Sequence, residues 1–397
     1  MAIVNAASLA RNYFVMDMPD IQWTGLGSHD YVSVQVTITP LNGSAVQFVE
    51  RYVPDGSGAV TLRGLAELLQ PYVKPSPTDL ASVNLTNSGV SIITVTRAQV
   101  AFALFDEEGD SAGSTRTCYV YYSNQRTNTY PGSIKKWLSR YSDRPLYKKQ
   151  RVVASAFCFS GVSVNLRVFW EKNGEVQTAN VVPTLSGSSA TPPTDAFTLH
   201  YSMNDIATAI GNGCTDDSIR IVDVQLKNNG SVVDSIRYRV DRVQLPRHTM
   251  VAFTNCYGMF ELEAFTGVDE ESTTMEGEYA WMDDSYEKIA ESEVTEHRLC
   301  AGHVTKEQRR SIEDISHSPK VAIVYKGEGS VLAPVDYEPM TVTGIEMTDR
   351  RPHTSPQTAY VTLRHAPRHH EVVSRGSGDS ATYDDGIFDY TFDNSYN

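Results

Sequence analysis

Residues 32–54, VSVQVTITPLNGSAVQFVERYVP, alternate apolar and polar side chains through Val32, Val34, Val36 and Ile38, turn at Asn42-Gly43, and return through Val46, Phe48 and Tyr52 to Val53-Pro54. A period of two puts one set of side chains on each face of a strand, and an Asn-Gly pair between two such runs predicts a β-hairpin. The same grammar returns at residues 164–183, VNLRVFWEKNGEVQTANVVP, where Val164, Leu166, Val168 and Trp170 alternate, Asn173-Gly174 turns, and Val176 leads toward Val182-Pro183. Downstream, residues 61–69 align without a gap to residues 202–210. Each segment opens on a hydroxyl residue suited to cap a helix, Thr61 or Ser202, and presents one apolar face, Leu62, Leu65 and Leu69 or Met203, Ile206 and Ile210. A closing hairpin follows in both: Val100–Leu104, Gly109 and Ser114-Thr115-Arg116, then Val222–Leu226, Gly230 and Ser235-Ile236-Arg237. Three elements in one order at matching spacings predict an internal duplication.

The fold class expected is mainly β (α+β): tandem duplicated β-sandwich or barrel-like domains, each with one packed helix, plus a third small α+β module. The first domain takes residues 1–125 and the second 150–245. Residues 126–149 form a basic linker whose stretch 133–141, with Ser133 as cap and Ile134, Trp137, Leu138 and Tyr141 on one stripe, predicts a short amphipathic helix between Pro131 and Pro145. The third region, 246–373, has strand-like Val251-Ala252-Phe253 and Met259–Leu262 around Gly258. It continues with a capping box at Thr305–Gln308 opening a helix with Ile312 and Ile315, and with strands at Val321–Tyr325, Val331–Met347 and Ala359–His365. Residues 374–397 form an acidic, aromatic tail, disordered or ordered on a partner, in which Phe388, Tyr390 and Phe392 alternate as they would in a strand added to another sheet.

At 397 residues and 41% hydrophobic, the chain is long enough for two or three cores. Its net charge of −14 is unevenly spread: residues 261–296 hold thirteen acids against Lys288, and residues 374–397 hold five against Arg375. The acidic balance opposes general nucleic-acid binding. One basic run stands out, with Arg126, Lys135, Lys136, Arg140, Arg144, Lys148, Lys149 and Arg151 against Asp143, interleaved with Tyr130, Trp137, Tyr141 and Tyr147. Such a run is a solvated linker, a stacking surface for a nucleic acid, or a surface that docks on the acidic 261–296 stretch of the same or a neighbouring copy. Lys135, Lys136, Arg140, Lys148 and Lys149, with Phe388, Tyr390 and Phe392, are the expected partner-binding residues.

Cys118, Cys158, Cys214, Cys256 and Cys300 include no CxxC pair and read as free thiols. Asn5, Ser8, Arg11, Asn12 and Asp17 interrupt any apolar leader, so neither a signal peptide nor membrane insertion is expected. His297, Cys300 and His303 have a spacing open to zinc but lack an identifiable fourth ligand, and His365, His369 and His370 read as a solvated chain end. The pairs Asp216-Asp217 and Asp283-Asp284 read as surface charge or caps. No catalytic motif emerges, so no enzyme activity, cofactor or metal is expected.

Glu50-Arg51-Tyr52-Val53-Pro54-Asp55-Gly56, Phe253-Thr254-Asn255-Cys256-Tyr257-Gly258, Ser316-His317-Ser318-Pro319-Lys320-Val321 and Leu363-Arg364-His365-Ala366, in that order, resemble uncharacterised tail-module structural proteins of Bacteroides-type phages and prophages. The resemblance spans most of residues 30–366. It implies a non-enzymatic virion component of the tail tip or baseplate, made in the host cytoplasm, assembling as a ring with copies of itself and with other tail proteins. The alternative is a carbohydrate- or receptor-binding β-sandwich in which Trp23, Trp170 or Trp281 stacks on sugar rings.

Overall fold

The computed structural model describes residues 3–73, 80–127, 134–147, 150–187, 190, 192–241, 248–282, 285–326, 332, 336–347, 358–366 and 368–371. By compactness the chain forms two units, Met1–Ser272 with Glu296–Ala366, and Thr273–Thr295 with Pro367–Asn397. The fold is mainly β, with several sheets and few helices.

The alternation at 32–54 and 164–183 builds two five-stranded sheets of one topology. The first runs Asn12–Phe14, Arg116–Tyr121, Arg97–Phe105, Val32–Pro40, Val46–Tyr52, and the second Asp143–Leu146, Ser231–Val240, Ile219–Asn228, Val162–Lys172, Glu175–Val181. In both, the first pair is parallel and the rest antiparallel. Register fixes the correspondence: Val34, Val36 and Ile38 lie opposite Leu104, Phe102 and Val100, while Val164, Leu166 and Val168 lie opposite Leu226, Val224 and Val222. All of these side chains are buried. A one-residue slip would turn either row to solvent, at about 1.5–3 kcal/mol for each large apolar side chain exposed.

Each large sheet faces a small one. Ile3–Asn5, Asp20–Trp23 and Val60–Leu62 form one, followed by helix α1 (Leu65–Leu69). The other consists of Arg151–Phe157, Asp195–Ser202 and Gly89–Thr94, and the middle strand leads directly into helix α2 (Met203–Ile210). Its third strand, Gly89–Thr94, comes from the first half of the chain and runs antiparallel to Asp195–Ser202. The helix starts differ from the alignment. Ser202 caps α2, its hydroxyl accepting from the Asp205 amide, but Thr61 lies within the Val60–Leu62 strand and α1 starts after Gly64 with no side-chain cap. Gly64 has φ +71°, a left-handed conformation that glycine adopts without a Cβ clash.

No helix forms across 134–141, contrary to the stripe of Ile134, Trp137, Leu138 and Tyr141. Its amides bond across the chain instead of to the carbonyl four residues back. The Trp137 amide donates to Asp234 and the Leu138 amide to the Ser155 carbonyl, and the Trp137 indole donates to the Val224 carbonyl. Trp137, Leu138 and Tyr141 are all buried, so the apolar spacing reflects core anchoring rather than a helical face.

In the third region, Phe260–Phe265, Thr249–Thr254, Val321–Lys326, Glu338–Met347 and Thr358–Arg364 are successive sheet neighbours, with Glu296–Cys300 paired to Thr358–Arg364. Helix α3 (Lys306–Ser316) opens on the expected capping box of Thr305 and Gln308. The acidic excursion is made of two long strands, Asp269–Met282 and Ser285–His303. Within the second unit, Ala290–Glu293 pairs with Arg368–Glu371. Among the described residues no helix is long and apolar enough to cross a membrane.

The unequal helix starts separate two substitutions by urea denaturation. Ser202→Ala removes a cap and is expected to destabilise by about 1 kcal/mol, whereas Thr61→Ala, on a strand, should cost no more than a few tenths. Equal losses would contradict the cap assignment.

Candidate functional site

The Phe253–Gly258 stretch joins two antiparallel strands through a turn that the surrounding chain grips. Asn255 Oδ1 accepts from the amides of Tyr257 (3.0 Å) and Met259 (3.1 Å), closing the turn on itself. Gly258 has φ +78°, and a Cβ there would lie 2.8 Å from the Tyr122 ring, so both conformation and space require glycine. Asn255 Nδ2 donates to the Leu138 carbonyl and to Glu261 Oε2, each at 2.8 Å. The Cys256 carbonyl accepts from the Asn124 amide at 3.1 Å. The Thr254 amide donates to Ser318 Oγ at 2.9 Å, and Asn124 Nδ2 to the His317 carbonyl at 2.8 Å. Residues near 124, 138, 255 and 318 thus meet at one turn.

Beside it sits a buried charge cluster. Arg144 Nη1 lies 3.1 Å from Glu261 Oε1 and its Nη2 3.4 Å from Glu263 Oε2, with all three side chains buried. The guanidinium carbon is 4.3 Å from the centre of the Tyr141 ring, whose hydroxyl donates to Glu263 at 2.6 Å. Ser139 Oγ donates to Glu261 at 2.9 Å. Arg140 Nε is 3.4 Å from Asp314 Oδ1 on α3 and 3.3 Å from Cys256 Sγ, and its Nη2 donates to Gln125. At the start of α3, Glu307 accepts from the amides of Ser142 (2.9 Å) and Asp143 (3.1 Å) and from Ser142 Oγ (2.8 Å). Burial pushes the Glu261 carboxyl up despite the opposing Arg144, and pushes the Cys256 thiol and the Tyr141 phenol well above their usual ranges. This chemistry fixes parts of a chain to one another: segment 138–146, the 249–265 hairpin and α3 are joined by ion pairs and charge-assisted hydrogen bonds.

The basic run is therefore divided. Arg140 and Arg144 point inward to acids of the third region, while Lys135 and Lys136 are exposed, with the Lys135 ammonium 5.9 Å from the Phe159 ring centre. Lys148, Lys149, Phe388, Tyr390 and Phe392 lie outside the described residues. Trp23 and Trp170 are buried core residues and offer no stacking face, and the Trp281 side chain is outside the described residues. His297 is fully buried in a strand, its Nδ1 3.2 Å from Asp269, with the His365 ring 5.5 Å away, so His365 is not a solvated chain end. Among the described residues no group of three or more His, Cys, Asp or Glu is arranged to hold a metal. In the sequence, Glu261 and Glu263 are hidden among the acids of 261–296. The signal was their alternation with Phe260, Leu262 and Ala264, which places both carboxylates on one face of a buried strand.

No family model matches the chain, and no curated protein matches it. Among solved structures, a chain from the tail of an empty GTA particle with C6 symmetry aligns over 32% of this chain and 96% of its own, at 13% identity and a TM-score of 0.21. A likeness of that size assigns neither fold nor function.

Arg144→Met leaves two buried carboxylates without their cation, so urea denaturation should register a loss of about 3–5 kcal/mol. Arg239→Met, which breaks an exposed pair with Asp143, should cost less than about 1 kcal/mol. Comparable losses for the two would sink the reading of the Arg144 cluster as the joint.

Proposed function

We propose that the chain is a non-enzymatic structural component of a phage tail, of the tip or baseplate, which assembles with copies of itself and binds other tail proteins. The observation that carries the reading is a pair of terminal strands that, among the described residues, pair with a strand on one side only. Val46–Tyr52 and Glu175–Val181 each end a five-stranded sheet, and each carries or adjoins exposed valines: Val49 and Val53 on one, Val176 and Val182 on the other. An edge strand offers unpaired amides and carbonyls to an incoming strand, and apolar side chains on it favour cover by another chain. Two such edges on one chain suit a heterologous contact in which each copy meets the next through different surfaces, the arrangement that closes rings. The inward use of Arg140, Arg144, Glu261 and Glu263 suits a structural role, since these groups tie segments of the chain together. The sequence resemblance to tail-module proteins supplies the particle.

Sedimentation velocity and negative-stain electron microscopy test this directly. The intact chain, alone or co-expressed with proteins encoded beside it, is expected to form closed rings or tail-like particles. Val49→Lys with Val176→Lys should abolish assembly while leaving the melting temperature of the monomer unchanged. A monodisperse monomer at high concentration that enters no particle on co-expression would overturn the proposal.

A further inference from the structure

Two exposed surfaces combine apolar side chains with charge of opposite sign. In the second unit, the 273–282 part of Asp269–Met282 belongs to the terminal strand of its sheet, and Met275 and Tyr279 on it are 63% and 51% exposed. Glu276 and Glu278, also exposed, alternate with them along the strand. Lys288, on the neighbouring strand Ser285–His303, pairs with Glu291, and among the described residues Glu276 and Glu278 enter no ion pair. In the first unit, the end of the hairpin formed by Ile219–Asn228 and Ser231–Val240 exposes Val232 (50%) and Val233 (41%). Lys227 lies directly opposite Val232, and the Trp137 amide, donating to Asp234 at 3.0 Å, holds the exposed Lys136 beside the same hairpin end. Among the described residues neither Lys136 nor Lys227 enters an ion pair. Asp143–Leu146 pairs with Arg237–Val240, so residues 231–236 have, among the described residues, a strand on one side only.

We propose that these two surfaces bind each other in trans, the 273–279 stretch of one copy docking on the Lys136, Lys227, Val232 and Val233 surface of the next. This contact rests on the self-assembly proposed above and gives it a further pair of surfaces. Charge selects the occupant. Two 273–279 stretches facing each other would oppose Glu276 and Glu278 to their own kind, and two hairpin ends would oppose lysine to lysine. Each is matched only by the other, through apolar side chains flanked by unpaired charge of the opposite sign. Arg140 and Arg144 of the same basic run are already paired with acids inside the chain, which leaves Lys136 for an acid outside it. A contact between two different surfaces is heterologous, so it passes from copy to copy and closes a ring when the rotation allows.

Charge reversal in the full-length chain tests the contact by sedimentation equilibrium. Glu276→Lys with Glu278→Lys, or Lys136→Glu with Lys227→Glu, sets like charges across it, and each variant alone should associate roughly tenfold or more weakly at low salt. An equimolar mixture of the two should recover the lost association, because the reversed strand of one then meets the reversed hairpin end of the other. Should a variant not fold, salt is the second measurement: raising sodium chloride from about 0.05 to 0.5 M should weaken association of the unsubstituted chain several-fold. Unaltered association in either variant, no recovery on mixing, or association indifferent to salt would overturn this contact and leave assembly through Val46–Tyr52 and Glu175–Val181 standing. A chain that stays monomeric at every concentration would overturn both.

Discussion

Burying a guanidinium between two carboxylates carries a desolvation penalty of several kcal/mol per ion, recovered only when every partner is in place. The fold is arranged around satisfying that condition at Arg144. Its strand, Asp143–Leu146, is the parallel edge of the second large sheet, while Glu261 and Glu263 belong to a hairpin of the third region. The pairs therefore form only when both sheets are complete and correctly placed. Asn255, Ser139 and Tyr141 fill the remaining hydrogen-bonding capacity of the two glutamates. Apolar packing around the turn, with Phe14, Tyr121 and Phe157 in mutual ring contact and Tyr257 against Phe14, would tolerate small displacements. The ion pairs would not, and they give the junction its single geometry.

What the sequence made legible follows from which interactions are local. Period-two alternation around Asn42-Gly43 and Asn173-Gly174 is written into neighbouring residues, and both hairpins form at those turns. The capping box at Thr305 and the cap at Ser202 are equally local. Thr61 has the same chemistry as Ser202 but lies in a strand, because pairing of Val60–Leu62 with Asp20–Trp23 decides its backbone. Segment 134–141 forms no helix for a related reason: a helical spacing of Trp137, Leu138 and Tyr141 is indistinguishable, in sequence, from three anchors that drop into a core built by distant strands.

The site was legible in fragments only. Phe253–Gly258 and Ser316–Val321 drew attention through resemblance, and they meet at the turn through Thr254, Ser318 and Lys320. The basic run was visible, as was the option that it docks on acids of the same chain. Which of its members turn inward was not, since Arg140 and Arg144 differ from Lys135 and Lys136 only in what lies opposite them. A carboxylate in a count of acids carries no mark of burial, and the neighbours that bury Glu261, Glu263 and Asp314 lie more than a hundred residues away in part.

Strand Gly89–Thr94 bears on how the chain must be built. It belongs by sequence to the first repeat and by hydrogen bonding to the small sheet of the second, so the two repeats are interlocked by backbone pairing. During synthesis that strand emerges roughly a hundred residues ahead of its partner, Asp195–Ser202, and has to wait for it. Loop-closure entropy of this kind slows folding and keeps an apolar edge exposed meanwhile. Any dissection of the molecule at residue 125 or 150 severs a sheet rather than a linker.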